Sequence, residues 1–314
     1  MGRMTFVIRR LLMLVPVAVG VTIIVFFMIH LIPGDPARTI LGIHATPRAV
    51  ALLHKEWGLN RPLISQYWLF MDRLLHGNLG PSLFYGTPAA GVIMGRLSAT
   101  LWLLVYAALL AVLISVPLAM IAATRQNALR DQAVRAVPLL GLGMPPFWLA
   151  ILLINAFAIK VRLFPVSGYG SGFVGHLHSM FLPALTAALA LAPVVIRSLR
   201  ASMLNVLGAD YITTARSKGV PSSRLFLRHV LRNAVIPAVT VLGINIGFLI
   251  GNTVIVENVF AIPGVGQLMI NSIFARDFPV VQGVTLVFGI LVVLVNLLAD
   301  LAYAALDPRV RFER

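Results

Sequence analysis

Cysteine is absent from the 314-residue sequence, which excludes a disulfide framework, thiolate metal ligands and a cysteine nucleophile. Charge is scarce as well. Only 11% of residues are Asp, Glu, Lys or Arg, against 59% apolar, whereas a soluble domain carries roughly a quarter charged residues. With a mean hydropathy of +0.94, the chain has more apolar surface than one aqueous core can hide, so it needs lipid as solvent. Acids are rarer than bases, 10 against 25, for a net charge of +15. In a soluble protein that excess would suggest nucleic acid. In a membrane chain the placement of the charges carries the information, and no nucleic-acid partner is expected.

Nucleotide and catalytic motifs are missing too. The three lysines, Lys55, Lys160 and Lys218, are never followed by Ser or Thr, so there is no P-loop, whose lysine reaches the phosphates and whose hydroxyl holds magnesium. No G-x-S-x-G elbow and no H-E-x-x-H helix occurs. The close pair His176 and His178 lacks a visible third ligand, so no metal site is assigned. Nothing in these motifs marks the chain as an enzyme.

What is present is a set of uncharged runs. A helix needs about 20 apolar residues to cross the hydrocarbon core. Six runs come close or qualify: Leu11–Ile32, Thr100–Ala123, Ala136–Ile159, Ser179–Ile196, Ala234–Val256 and Phe278–Ala299, none containing Asp, Glu, Lys or Arg. The expectation is an all-α membrane protein of about six transmembrane helices. The first run is too long for a signal-peptide core and ends in Pro33-Gly34-Asp35-Pro36, so it reads as a retained helix. Sixteen of the 25 basic residues fall on the side that holds both chain ends, which places the N- and C-termini in the cytosol. The outer segment from Pro33 to Ala99 has apolar residues at helical spacing (Leu52, Leu53, Trp57; Tyr67, Phe70, Met71, Leu74, Leu75), suiting two short surface helices over the outer mouth.

An ion-coupled carrier is the alternative from another class. Such carriers place ionisable residues at mid-membrane; here Glu257 and Asp300 lie at span ends and His30 near the outer end of the first helix.

Seven basic residues crowd between the fourth and fifth runs: Arg197, Arg200, Arg216, Lys218, Arg224, Arg228 and Arg232. Asp210 to Gly219 reads as a short helix, with an acid at its start, cations in its last turn and Gly219 stopping it in a left-handed conformation. Pro221 then opens a second amphipathic helix carrying Leu225, Leu227, Val230 and Leu231. By physics alone this is either a surface that docks in another protein or a basic pair lying on headgroups.

The wording of this loop resolves the choice. Arg200-Ala201-Ser202-Met203, Asp210-Tyr211-Ile212, Thr214-Ala215-Arg216-Ser217-Lys218-Gly219, His229, Leu231-Arg232-Asn233-Ala234 and Ile236-Pro237 resemble the ABC importer permease signature of the dipeptide/oligopeptide/nickel branch. The resemblance runs through Ile32-Pro33-Gly34-Asp35-Pro36, Gly77-Asn78-Leu79-Gly80-Pro81-Ser82, Glu257-Asn258-Val259-Phe260, Pro263-Gly264-Val265-Gly266 and Asp307-Pro308-Arg309. It departs from the common pattern at Ala209, usually acidic, and at Asn205, Thr213 and Asn78.

The resemblance implies a type I ABC importer permease fold: residues 1–32 as tail and first transmembrane helix, 33–99 as an extracytoplasmic loop, and 100–314 as a permease core with the coupling loop at about 197–233. It implies a coupling helix formed by Asp210, Tyr211, Thr214, Ala215, Arg216, Lys218 and Gly219, docked in a partner ATPase. The implied partners are a second related permease forming a heterodimer, two P-loop ATPase subunits or domains that hold the ATP and Mg, an extracytoplasmic solute-binding protein and the lipid bilayer. This chain would bind no cofactor itself. The implied location is the bacterial cytoplasmic membrane. The expected cargo is small peptides, with nickel or another metal chelate, or glutathione, as alternatives. Finally, Gly243, Gly247 and Gly251 fall on one face of the fifth run. Such a stripe lets helix backbones approach in lipid, either inside this subunit or along a pore-lining or permease–permease seam.

Overall fold

The computed structural model describes residues 3–30, 35–82, 84–124, 126, 129, 131–132, 134, 136 and 143–306, and the described residues are helical throughout apart from turns and one isolated bridge between Pro81 and Pro88. The elements in order are α1 (Arg3–His30), α2 (Pro36–Leu41), α3 (Pro47–Trp57), α4 (Leu63–Leu75), α5 (Ala89–Thr124), α6 (Pro146–Leu153), α7 (Gly172–Ser179), α8 (Phe181–Leu207), α9 (Asp210–Ser217), α10 (Ser222–Leu225), α11 (Arg232–Val259), α12 (Val265–Phe274) and α13 (Phe278–Leu306). Wider π-type turns extend α6 through Ile154–Lys160 and join α10 to α11 through Phe226–Leu231.

Among the described residues four helices are long and apolar enough to cross a membrane: α5, α8, the Val241–Val259 part of α11, and α13. Among the described residues the apolar parts of α1 (Val15–Met28) and of the third run (Pro146–Lys160) are shorter. The beginning of the expected third span, and the Asp307-Pro308-Arg309 motif, lie outside the described residues.

Helix ends differ from the uncharged runs for one physical reason: a charge limits a lipid-buried run without ending a helix. Thus α5 starts 11 residues before Thr100, at Ala89, and carries Arg96 in its outer turns, where the guanidinium lies over the Tyr85 ring at 5.7 Å. The segment drawn as a loop to Ala99 therefore ends at Pro88, and it forms three helices, α2 to α4, instead of two. Prolines bound one run and leave others intact: Pro145 and Pro146 open α6 within the third run. Pro117, Pro193 and Pro237 all lie inside continuous helices.

The core is built on small residues. Along α5, Ala99, Leu103, Ala107, Ala111, Ser115, Ala119 and Ala123 recur every fourth position and are all buried. This small-residue stripe lets α8 approach closely, with Ala184, Ala187, Ala188 and Leu191 facing it, and close packing is what associates helices in lipid. α11 packs on α8 and on α13. α1 stands at the flank, packed chiefly on α13 and α4.

Candidate functional site

The expected docking helix forms as α9. Eight residues make a helix too short to hold itself in water, so its fixings matter. The first is Ile212, fully buried among Leu199, Met203, Leu225, Val230 and Ala234. The second is the exit. Gly219 has φ +76°, its N–H donates to the Arg216 carbonyl at 2.9 Å, and the Val220 N–H donates to the Ala215 carbonyl at 3.2 Å. These two bonds are the Schellman pair, which only a residue tolerant of positive φ closes without strain. The third is a side-chain tie, Asn233 Nδ2 donating to the Tyr211 hydroxyl at 3.3 Å.

With Ile212 alone pointing fully inward, the rest of the helix is left to the outside. Asp210, Tyr211, Thr214, Arg216, Lys218 and Gly219 are exposed and Ala215 is half-buried. All seven residues of the expected set therefore lie together on one short helix and its cap. The second amphipathic helix, by contrast, is not a separate element. From Ser222 it runs through the π-type turns straight into α11, burying Leu225 and Val230 and exposing Leu227. Only residues 218–221 separate α9 from this run.

Just before α9, the buried Asp131 carboxylate receives a two-pronged ion pair from Arg200, with Nε to Oδ1 and Nη2 to Oδ2 both at 2.7 Å. It ties the segment after α5 to the end of α8. The sequence shows Arg200 as one of the crowded basic residues and as part of the signature, and gives Asp131 no role. Nothing in local spacing announces a pairing across 69 positions.

The three glycines divide. Gly243 faces α13, where an added Cβ would run into Ala299, and Gly247 faces Val292. Gly251 meets nothing within 4 Å. It belongs to a different line, Ile244, Phe248, Gly251 and Ile255, at four- and three-residue steps, which is exposed along α11, with Phe248 72% exposed. α11 is packed by α5, α6, α8, α12 and α13 on its other sides, so this stripe is the one side of a central helix left open.

Glu257 was read as a mere span-end acid, but it is fully buried at the end of α11. Its carboxylate accepts from Thr100 Oγ1 at 2.7 Å and from the Gln267 N–H at 2.9 Å, with the Gly266 N–H also bonded to it. Thr100 Oγ1 in turn accepts from the Val265 N–H at 2.8 Å. The carboxylate thus caps the N-terminus of α12, whose free N–H groups and dipole favour a negative group. That accounts for the glycines of the Pro263–Gly266 turn. A Cβ at Gly264 would fall on the Glu257 carboxyl, and one at Gly266 would come within 2.7 Å of Val254 Cα. At the other end of α12, Ser82 hydrogen-bonds the buried Asp277. His176 and His178 lie in the last turn of α7 and bond to backbone, His176 Nδ1 to the Tyr169 carbonyl and His178 Nε2 to the Leu163 carbonyl, each at 2.9 Å.

Comparison with known proteins joins these parts. The chain is 38% identical to the glutathione transport system permease protein GsiC of Escherichia coli K12, over 99% of this chain and all of that one, and 37% identical to the Salmonella choleraesuis protein of the same name over the same shares. Among solved structures, an inward-facing MetNI methionine ABC transporter chain superposes with a TM-score of 0.57 at 18% identity, covering 69% of this chain and 96% of that one. A chain of an amino acid ABC transporter crystallised with histidines gives 0.52 at 16%, covering 68% and 94%. Residues 3–103 match the N-terminal region of binding-protein-dependent transport system membrane components. Residues 115–312 match the transport domain itself, and the chain belongs to the binding-protein-dependent transport system inner membrane component family, as a permease subunit of an ABC importer.

Proposed function

We propose that this permease forms one half of a translocation pathway for a small peptide of the glutathione type, driven by partner ATPases through α9. The observation that carries the coupling role is the construction of α9: one buried anchor at Ile212, a glycine-closed exit, and an exposed face of Asp210, Tyr211, Thr214, Arg216 and Lys218. A helix lying on headgroups would need an apolar outward face, and α9 presents polar groups with a tyrosine.

In this reading both termini and α9 are cytosolic in the bacterial inner membrane, as the basic residues favour. The α1, α6, α5, α8, α11 and α13 segments make six spans. A second, related permease meets the open stripe of α11. A solute-binding protein delivers cargo to the opposite end, and closure of two ATPase subunits around ATP moves α9 and, through α10, the base of α11. The supporting observations for cargo are the glutathione transport for which relatives 38% identical over full length are named, and described spans without a charge inside the helices' central runs, which suits a path that does not grip its substrate. Glutathione is itself a tripeptide, so the peptide reading and this one converge; a metal chelate is the competing cargo.

The test is uptake by the assembled transporter in vesicles. ATP-dependent accumulation of glutathione, abolished by Gly219→Asp with insertion and assembly intact, is expected. Uptake that survives ATP removal and collapses with an uncoupler would replace this reading with an ion-coupled carrier. Uptake of a nickel chelate and not of peptide would keep the mechanism and change the cargo.

A further inference from the structure

The inner face of α4 is fixed to the end of α1 by polar and apolar contacts together. The Thr22 and Tyr67 hydroxyls are 2.8 Å apart, His30 Nε2 is 2.9 Å from Gln66 Oε1, and Phe70 packs with Val25 and Phe26 of α1 and Leu286 of α13. Thr22 precedes His30 by about two turns, about 12 Å along a helix axis. The middle of α4 therefore lies beside the final turns of α1 and at their depth, not beyond them. Nor does it lie over the central helices α5, α8 and α11, since it packs chiefly on α1 and α3 and touches α13 through Phe70.

The outer face of α4 is apolar. Ile64, Trp68 and Leu75 fall on one line at helical spacing and are 66%, 65% and 79% exposed, with the charged Asp72 at the border of that line. At the same depth the uncovered surface of α1 is Ile23, Ile24 and Phe27, the kind of wall that lipid covers. The apolar face of α4 continues that wall.

We propose that α4 is an interfacial helix whose Ile64–Trp68–Leu75 face is seated in lipid at the outer headgroup–acyl boundary. Amphipathic helices lie in that zone with the apolar face about 5–10 Å into it, and tryptophan concentrates there because its ring is amphipathic. The inference rests on α1 crossing the bilayer with His30 at the outer rim. The occupant is the bilayer already in contact with α1, and the solute-binding protein is left the surfaces of the outer segment that face away from it.

The absence of cysteine makes the test clean. Trp68→Cys, Ile64→Cys and Leu75→Cys each take a nitroxide label in the transporter assembled in nanodiscs of phosphatidylethanolamine and phosphatidylglycerol, the partner subunits being cysteine-free. Ile43→Cys, at a position 97% exposed, serves as the aqueous reference, and Ile24→Cys as the lipid reference on α1. Labels at 64, 68 and 75 are expected to relax several-fold more with oxygen, which concentrates in lipid, than with a water-soluble nickel chelate, and the label at 43 in the opposite sense. A label at 68 that behaves like that at 43, or that loses chelate access only when the solute-binding protein is added, would overturn the interfacial seat. An aqueous signal at 24 as well would overturn the span of α1 beneath it.

Discussion

His54 bridges two acceptors, Asn60 Oδ1 at 3.0 Å from Nδ1 and Asp35 Oδ1 at 2.9 Å from Nε2, a pattern that suits the doubly protonated ring. The bond to Asn60, and then that to Asp35, raise the His54 pKa above its ordinary value. Desolvation works to raise the Asp35 carboxyl, but hydrogen bonds from His54 and the Ala37 N–H outweigh it and hold the pKa low. The raised histidine stabilises the outer segment below its unfolded value, about pH 6.5, and loses this as pH rises through the folded value; the lowered aspartate contributes above about pH 4 and loses it as pH falls. Proteolysis of α2–α3 is therefore expected to be slowest between about pH 4 and about pH 6.5, and to lose that pH dependence in His54→Gln. At Gly264 the expectation concerns space, not charge. Gly264→Ala forces a methyl onto the Glu257 carboxyl, an overpacking that costs about 1–3 kcal/mol, read as a lower melting temperature and earlier cleavage of α12, while Gly251→Ala, into open space, leaves both unchanged.

Among the elements, α9, on which the proposed coupling rests, is held by few fixings. Ile212→Ala removes the one buried side chain and is expected to cost about 2–5 kcal/mol locally, enough to melt so short a helix. ATP-driven uptake should fall to background although Ile212 offers nothing to a partner. Lys218→Ala, on the exposed cap, should weaken ATPase binding in a pull-down without altering the fold. The same element shows what sequence can carry. Its start, its left-handed stop at Gly219 and its outward polar face were legible because capping and amphipathic spacing are local. The run of α10 into α11 was not, since a π-type turn leaves no mark in residue spacing. The alanine line of α5 was legible in principle, at every fourth position, but glycines drew the eye to α11, where only Gly251 lies on the open stripe. Glu257 was missed because its partners come from α5 and from the turn beyond α11. A carboxylate at a span end reads the same whether it faces water or caps a buried helix.

At the scale of the whole molecule, the open stripe of α11 has to meet something, since Phe248 exposed on a central helix is an apolar liability in a water-filled path and a contact point at a subunit seam. Phe248→Cys paired with cysteines scanned along the matching helix of the second permease is expected to cross-link, with a yield that changes when ATP is trapped in the assembly. A yield unaffected by nucleotide would mean that the stripe faces lipid or a static joint. On one flank α1 rests mainly against α13, and the Gln282 amide donates to the Val25 carbonyl at 2.8 Å. That pairing has a consequence for biogenesis. α1 has as its chief partner a helix made about 250 residues later, and at about 5–20 residues per second the wait is about 12–50 s. During it α1 can stay in lipid alone, because a helix satisfies its own backbone. Gln282 has no such independence, so the insertion of α13 is also the moment at which α1 is first fixed in place.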